Sequence, residues 1–170
     1  MRLFIAILPD GKVRSALRET QNELRRRGVE GSYTRGENLH LTLAFIGEYP
    51  EPDAVMDAMN TLHAGPVELK LGELGAFGDT WWAGAEGGEA LERLVSKLRR
   101  VLSEASIPFD RKRFVPHITL IRRAELRRGA RPDQVSLPQA EMRAERISLM
   151  LSTRGKHGMI YTELGSVPLA

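Results

Sequence analysis

Apolar and polar positions along the chain follow two periods, and together they predict strands alternating with helices. The stretch RLFIAIL at residues 2–8 is a strand, and Asp10 in the PDG turn after it is placed to cap a helix. Four apolar residues form one face of that helix: Val13, Ala16, Leu17 and Leu24. Gly28 then ends the helix.

The pattern continues to the end of the chain. A second helix spans residues 51–65, and a third has an apolar face with a 3.6-residue period. That face consists of Leu91, Leu94, Val95, Leu98 and Leu102. The remaining apolar segments predict strands at residues 39–47, 67–77, 80–85, 113–121 and about 143–152 and 157–164.

Two parts of this pattern resemble each other. In each, a strand, a helix and a second strand follow in order, and the second strand carries His-x-Thr, first in NLHLTLAFIG and then in VPHITLI. Arg2 precedes His40 by 38 residues, and Trp81 precedes His117 by 36. The sequence therefore predicts an internal duplication whose two equivalent strands face each other. No proline-rich or glycine-rich linker separates the halves, so we expect one two-lobed domain over residues 1–170.

The repeated histidines and threonines share a strand face. Because side chains alternate across a strand, His40 and Thr42 lie on one face, and so do His117 and Thr119. In the first repeat, the opposite face is apolar: Leu41, Leu43 and Phe45. A lone histidine in such a strand is usually a hydrogen-bonded core residue. Two copies at equivalent positions instead favour polar pairs that line a cleft.

Charge is unevenly distributed along the chain. The net charge of the 170 residues is +3, but the segment 111–131 alone carries +7, which leaves −4 for the rest. A basic segment around the second motif indicates an anionic partner close to it. A solvated, arginine-rich face is the alternative interpretation.

Composition limits the cellular setting and the chemistry. The chain has no cysteine, so disulfides, thiolate catalysis and cysteine-ligated zinc are excluded. Its first apolar run is too short for a signal peptide, and no run approaches the ~20 residues that span a membrane. We therefore expect a soluble, cytoplasmic protein that has no membrane partner.

The two motifs and their flanks, ENLHLTLAFIGE and RFVPHITLIRR, resemble the paired HxTx motifs of the 2H phosphoesterase superfamily. Within it, the chain is most similar to the RNA 2′,3′-cyclic phosphodiesterases, also called 2′-5′ RNA ligases (LigT-like). The resemblance includes the opening RLFIAI, the WAG strand and the late GKHGMIYTEL segment. It implies an α+β, bilobal fold of duplicated β-α-β-type units, with mainly antiparallel strands around a central cleft.

The resemblance also implies an activity, namely hydrolysis of RNA 2′,3′-cyclic phosphate ends to 2′-phosphomonoesters, with 2′-5′ ligation as the reverse reaction. It makes His40 the proton donor and His117 the proton acceptor, with Thr42 and Thr119 donating to phosphate oxygens. Imidazole, with a pKa of roughly 6.5, suits both roles. The sequence alone does not distinguish them, because the motifs are nearly symmetric. We expect a monomer without metal or cofactor, whose partner is an RNA end, tRNA fragments among the candidates.

Arginines and tryptophans provide further candidates. Arg122 matches an arginine that follows the second motif in the family and could hold phosphate. Strict alternation would instead put Arg123 on the cleft face, so Arg122 needs a bulge to reach it. Arg35 is a candidate for RNA backbone contact, and a surface position is equally consistent. Trp81 and Trp82 point to opposite faces, so one belongs to the core and the other can stack a base.

Three other functions remain open on the sequence. Four histidines could suggest a metal site, but the spacings typical of metal ligands are absent. A non-catalytic module could use the basic segment to bind RNA ends. Another 2H activity, on a cyclic nucleotide or on ADP-ribose cyclic phosphate, is the nearest enzymatic alternative.

Overall fold

Nine strands and three α-helices form the protein, whose computed structural model describes all 170 residues. The strands are β1 (Arg2–Ile7), β2 (Val29–Tyr33), β3 (Leu41–Glu48), β4 (Val67–Phe77), β5 (Thr80–Glu86), β6 (His117–Leu126), β7 (Glu141–Ala144), β8 (Arg146–Gly155) and β9 (Gly158–Pro168). The helices are α1 (Gly11–Arg26), α2 (Pro52–Asn60) and α3 (Gly88–Glu104). Short 3-10 turns lie at Gly36–Asn38 and Pro132–Gln134. None of the helices is long and apolar enough to cross a membrane.

The strands form two antiparallel sheets. The first sheet has the order β3-β1-β8-β9, and the second has the order β2-β6-β5-β4-β7. In the first sheet β1 pairs with β3, and in the second β5 pairs with β6. The chain between the paired strands contains α1 and β2 in the first case and α3 in the second. This arrangement confirms the α+β fold with duplicated units and antiparallel strands.

The helices bury the faces that their sequence period indicates. On α1 the buried residues include the predicted Val13, Ala16, Leu17 and Leu24, and on α3 all five predicted residues are buried. Asp10 caps α1 by accepting a hydrogen bond from the Val13 amide at 2.9 Å. One cluster of 35 buried apolar residues contains side chains from both sheets and all three helices. A shared core therefore fixes the position of the two sheets relative to each other.

The sheets differ from the sequence prediction in several features, and β6 begins four residues later and ends five residues later than the strand predicted at 113–121. The strand predicted at 143–152 is two strands that meet at Glu145, and β7 joins the second sheet while β8 joins the first. The short edge strand β2 is absent from the prediction. Its sequence VEGSY contains Gly31 and two exposed polar residues, and therefore lacks an alternating apolar face.

Both His-x-Thr strands contain a β-bulge directly after the threonine. In the first sheet Ala6 pairs with Thr42 and the preceding Ile5 pairs with Ala44, so Leu43 is the extra residue. In the second sheet Trp82 pairs with Thr119 and Trp81 pairs with Ile121, so Leu120 is extra. The bulges lie at equivalent positions of the two repeats.

The bulges change which side chains share the cleft face. Leu120 and Ile121 are consecutive and both fully buried, so the residue after them, Arg122, lies on the same face as Thr119. The prediction from strict alternation, which put Arg123 on that face, is wrong. The equivalent bulge overturns the prediction that Phe45 shares a face with Leu41 and Leu43. Phe45 instead packs against the small cluster on the other face of the first sheet: Phe4, Ala6 and Met150.

Candidate active site

The two sheets meet where β3 and β6 contact each other, and the two motifs lie at this junction. His40 directly precedes β3, and His117 is the first residue of β6. The histidines are close enough for a charge on His117 to lower the pKa of His40. The duplicated strands therefore bring the two imidazoles near each other, although His117 lies outside the lining of the cavity beside His40.

Both imidazoles are held by the same local contact. The Nδ1 atom of His40 lies 2.7 Å from the carbonyl oxygen of Asn38, and Nδ1 of His117 lies 2.6 Å from the carbonyl oxygen of Val115. A carbonyl oxygen can only accept a hydrogen bond, so each Nδ1 carries a proton and donates it. Nε2 is left on each ring as the atom that can take up or release a proton.

The environment of His40 opposes its charged form. Burial is the largest effect and lowers the pKa of His40. The hydrogen bond to the Asn38 carbonyl raises this pKa, whereas the positive charges of Arg122 and His117 lower it further. The net result is a pKa below the ordinary histidine value, so without a bound anion His40 is mostly neutral near pH 7.

Aromatic rings flank each histidine. Around His40, the Phe4 ring lies 4.8 Å away and the Tyr161 ring meets it edge-on at 5.2 Å, measured between ring centroids. Around His117, the equivalent rings are Trp82 at 5.7 Å and Phe77 edge-on at 5.1 Å. Such contacts fix the plane of each imidazole, so that Nε2 keeps its direction during a proton transfer.

A cavity of about 140 Å³ opens beside His40. Thr119 and Arg122 from the second repeat line it together with His40 and Arg35. The other lining residues are Ser32, Tyr33, Thr34, Asn38, His157, Gly158, Met159 and Tyr161. Arg123 does not line this cavity; its φ of +54° turns the chain away after Arg122. Thr42 pairs with Ala6 on the same sheet face but lies outside the cavity lining.

One wall of this cavity is the tip of the β8–β9 hairpin. The carbonyl oxygen of Met159 accepts a hydrogen bond from Arg35 Nη2 and another from Asn38 Nδ2, both at 2.9 Å. These bonds hold the tip, with His157, against the chain that precedes β3. Arg35 thus has a structural role in addition to its exposed guanidinium.

Some site residues were not predicted from the sequence. Asn38 is buried although polar, and it both orients His40 through its carbonyl and holds the hairpin through its side chain. Tyr161 comes from the last strand and reaches His40 through tertiary pairing. The sequence carries no signal for the contact with the Asn38 carbonyl, because every residue has a backbone carbonyl and the equivalent residue of the second repeat is Val115. Tyr161 had no signal either. No group of three or more histidine, aspartate or glutamate side chains is placed to hold a metal ion.

Comparison with known proteins decides the family. The family model of the 2′-5′ RNA ligase superfamily matches residues 13–156. The chain belongs to this superfamily. A relative from Thermus thermophilus, named RNA 2′,3′-cyclic phosphodiesterase, is 35% identical over 181 residues, which cover 96% of this chain and 88% of the relative.

Solved structures share the fold of this superfamily member over almost its full length. A crystal structure of a Thermus thermophilus protein has a TM-score of 0.80 at 32% identity, and the match covers 99% of this chain and 98% of that one. Escherichia coli LigT complexed with 3′-AMP has a TM-score of 0.82 at 24% identity, with 99% and 97% covered. The LigT likeness concerns the fold alone.

Proposed function

We propose that the protein hydrolyses RNA 2′,3′-cyclic phosphate ends to 2′-phosphomonoesters by acid–base catalysis with two histidines. The observation that carries the proposal is the matched pair His40 and His117, each with Nδ1 bound to a carbonyl oxygen and Nε2 free. The name of the Thermus thermophilus relative supports the substrate class.

The reaction requires one neutral and one protonated imidazole. Nε2 of neutral His117 takes a proton from water while the water oxygen attacks phosphorus. The bond from phosphorus to O3′ breaks, and Nε2 of protonated His40 gives its proton to O3′. The phosphate stays on O2′. Two histidines from facing strands suit this displacement, because the attacking and leaving oxygens lie on opposite sides of phosphorus.

Neighbouring groups stabilise charge on the phosphate. The hydroxyls of Thr42 and Thr119 donate to non-bridging oxygens, where negative charge accumulates in the transition state. Arg122 lines the same cavity as His40 and Thr119 and binds the phosphate through its guanidinium. Arg35, at the cavity edge, contacts the RNA backbone. Arg123 is not a proposed binding residue, because the bulge places its side chain away from the cavity.

The lowered pKa of His40 has a consequence for its role as the acid. In the free protein the positive charge of Arg122 disfavours a proton on His40. A bound cyclic phosphate carries a negative charge that neutralises this effect, so His40 acquires its proton as the substrate binds. The acid is therefore charged mainly in the complex in which it is needed.

The activity test uses a short RNA that ends in a 2′,3′-cyclic phosphate. We expect conversion to the 2′-phosphomonoester, and turnover should persist after exhaustive chelation because no metal takes part. Formation of the 3′-phosphomonoester, or loss of activity in EDTA that zinc or manganese restores, would contradict the mechanism. Faster turnover of a cyclic mononucleotide or of ADP-ribose cyclic phosphate would favour that substrate. Binding without turnover would indicate an RNA-end-binding module.

A further inference from the structure

The two sides of the cleft differ in the chemistry they present. The cavity beside His40 is lined by the cationic Arg35 and Arg122, which suit the phosphates of an RNA chain. Beside His117 the neighbouring rings are aromatic and uncharged: Phe77 and Trp82. Aromatic rings flank both imidazoles, but Phe4 beside His40 is buried whereas Phe77 beside His117 is exposed, so an accessible uncharged ring lies on the His117 side of the cleft.

Phe77 ends β4 at the turn into β5, where it pairs with Thr80. Its ring centroid lies 5.1 Å from the Trp82 ring and 5.1 Å from the His117 imidazole, yet 48% of Phe77 is exposed. Trp82 pairs with Gly75, and a Cβ at Gly75 would collide with the indole. The indole therefore lies flat on the sheet behind Phe77. Together they form an aromatic surface beside His117, in which Phe77 is exposed and Trp82 is half-buried.

We propose that this surface, formed by Phe77 and Trp82, binds the base of a nucleoside that supplies a 5′-hydroxyl for 2′-5′ ligation. The inference rests on the proposed function, in which His117 accepts the proton of the attacking group. In hydrolysis that group is water. In ligation it is O5′ of a second RNA strand, and its nucleoside must lie on the His117 side of the phosphate.

The chemical step is the same displacement with a different nucleophile. O5′ attacks phosphorus and forms a new P–O5′ bond, and its proton passes to Nε2 of His117. The P–O3′ bond breaks, and Nε2 of His40 gives its proton to O3′. The product is a 2′-5′ phosphodiester with a free 3′-hydroxyl. This reaction requires no oxidant, metal or nucleotide cofactor.

The ligand class follows from the charge of the surface. Neither Phe77 nor Trp82 carries a charge that could pair with a phosphate. A nucleobase is flat and neutral, and stacking on an aromatic side chain is worth about 1–3 kcal/mol per base without depending on its identity. Phe77 and Trp82 therefore suit the base of the incoming strand better than its backbone.

The test measures how much of one cyclic-phosphate RNA reacts with water and how much reacts with the 5′-hydroxyl of a second strand. Wild-type protein and variants receive this RNA with an oligonucleotide that has a free 5′-hydroxyl, and the ratio of 2′-5′ ligated to hydrolysed product is measured. Phe77→Ala should lower this ratio about ten-fold, the effect of one lost stacking contact. Phe77→Tyr should preserve it. Leu126→Ala, which truncates another exposed apolar side chain of the second sheet, should leave it unchanged.

The ratio separates binding of the second strand from support of catalysis. Both reactions use His40 and His117, so a variant that merely disturbs the imidazoles lowers both products equally. An unchanged ratio in Phe77→Ala, or a wild-type protein that hydrolyses the RNA but never ligates it, would overturn the inference. Absence of any turnover in the wild-type protein would instead overturn the proposed function.

Discussion

The two histidines are expected to act as one acid–base unit. Replacing His40 or His117 with alanine should lower kcat/KM by on the order of 10²–10⁴, the usual contribution of a positioned acid or base. The double variant should be little worse than the worse single variant, because the residues act together. His63→Ala, in the loop after α2, is the matched control. Activity within a few-fold of the wild type in either single variant would contradict the catalytic roles.

The pH profile and a modified substrate assign the roles. The profile of kcat/KM should be bell-shaped, with two limbs that belong to the coupled pair. A substrate with sulfur as the leaving atom scarcely needs protonation, so it should rescue His40→Ala and fail to rescue His117→Ala. Rescue of His117→Ala alone would reverse the assignment.

Arg122 should control the protonation of His40. Its positive charge is one cause of the lowered pKa of His40, so Arg122→Gln should raise this pKa, measured by NMR titration of the imidazole. The pKa of His40 is lower in the folded state than in the unfolded state, where it is about 6.5. Neutral His40 therefore contributes its full stabilisation above this pH, and the stabilisation is lost as the pH falls toward the folded-state pKa. Arg122→Gln should therefore reduce the loss of stability on acidification.

The control for this titration is Arg100→Gln, which neutralises an exposed arginine on α3. It should leave the pKa of His40 unchanged. An equal shift in both variants would show that the effect comes from net charge rather than from the position of Arg122.

Single side chains in the cleft were predictable only as far as strand alternation holds. His40, Thr42, His117 and Thr119 were paired correctly because each pair precedes the bulge of its strand. Phe45 was misplaced because it follows the bulge, where the extra residue reverses the alternation. A bulge depends on pairing with a distant strand, so no period in the local sequence reveals it.

The β2–β6 ladder should hold Arg122 in place. Gly31 of β2 has a φ of +152°, and a Cβ there would lie 2.8 Å from Ile121 Cγ2 and 2.9 Å from the Arg122 carbonyl oxygen. Gly31→Ala should therefore destabilise the protein by about 1–3 kcal/mol in chemical denaturation. It should also lower kcat/KM, because Arg122 shifts with its strand.

Gly11→Ala is the matched substitution. A Cβ at Gly11 meets no atom within 4 Å, and helix α1 begins there, so the change should be neutral or slightly stabilising. If Gly31→Ala were as stable and active as Gly11→Ala, the ladder would not be what positions Arg122.

Elements with a strong internal period were predicted well, and those defined by distant partners were not. The helical faces of α1 and α3 depend on nearby residues alone, so their buried positions follow from the sequence. The strand β2 exists because it pairs with β6, nearly 100 residues later, and β7 separates from β8 because the two join different sheets. The hairpin wall of the cleft likewise depends on bonds to Arg35 and Asn38.

Two groups of cations within the basic segment 111–131 lie at different cavities in the folded molecule, and Arg111, Lys112, Arg113 and Arg123 belong to neither group. Arg122 lines the cleft, whereas Arg127, Arg128 and Arg131 surround a separate cavity with Arg26 and Arg27 at the end of α1. Glu30 of β2 lies opposite Glu125 of β6, in the part of the ladder between the two groups. A short RNA bound at the cleft should therefore contact only the first group.

Salt dependence of RNA affinity tests this division. For a dinucleotide with a cyclic phosphate end, Arg122→Gln should lower the slope of log affinity against log salt by about one, the value for one lost phosphate contact. Arg128→Gln should leave this slope unchanged. A lower slope in Arg128→Gln would mean that both arginine groups bind the same short RNA.

The strand order of the first sheet has a consequence during synthesis on the ribosome. In the first sheet β1 lies between β3 and β8, so the sheet that carries the first motif cannot be completed until β8 has been translated. Until then one edge of β1 is an unpaired apolar strand, the kind of edge that recruits other chains. The unpaired edge of β1 is therefore exposed for most of translation, and the cleft between the two motifs can form only near its end.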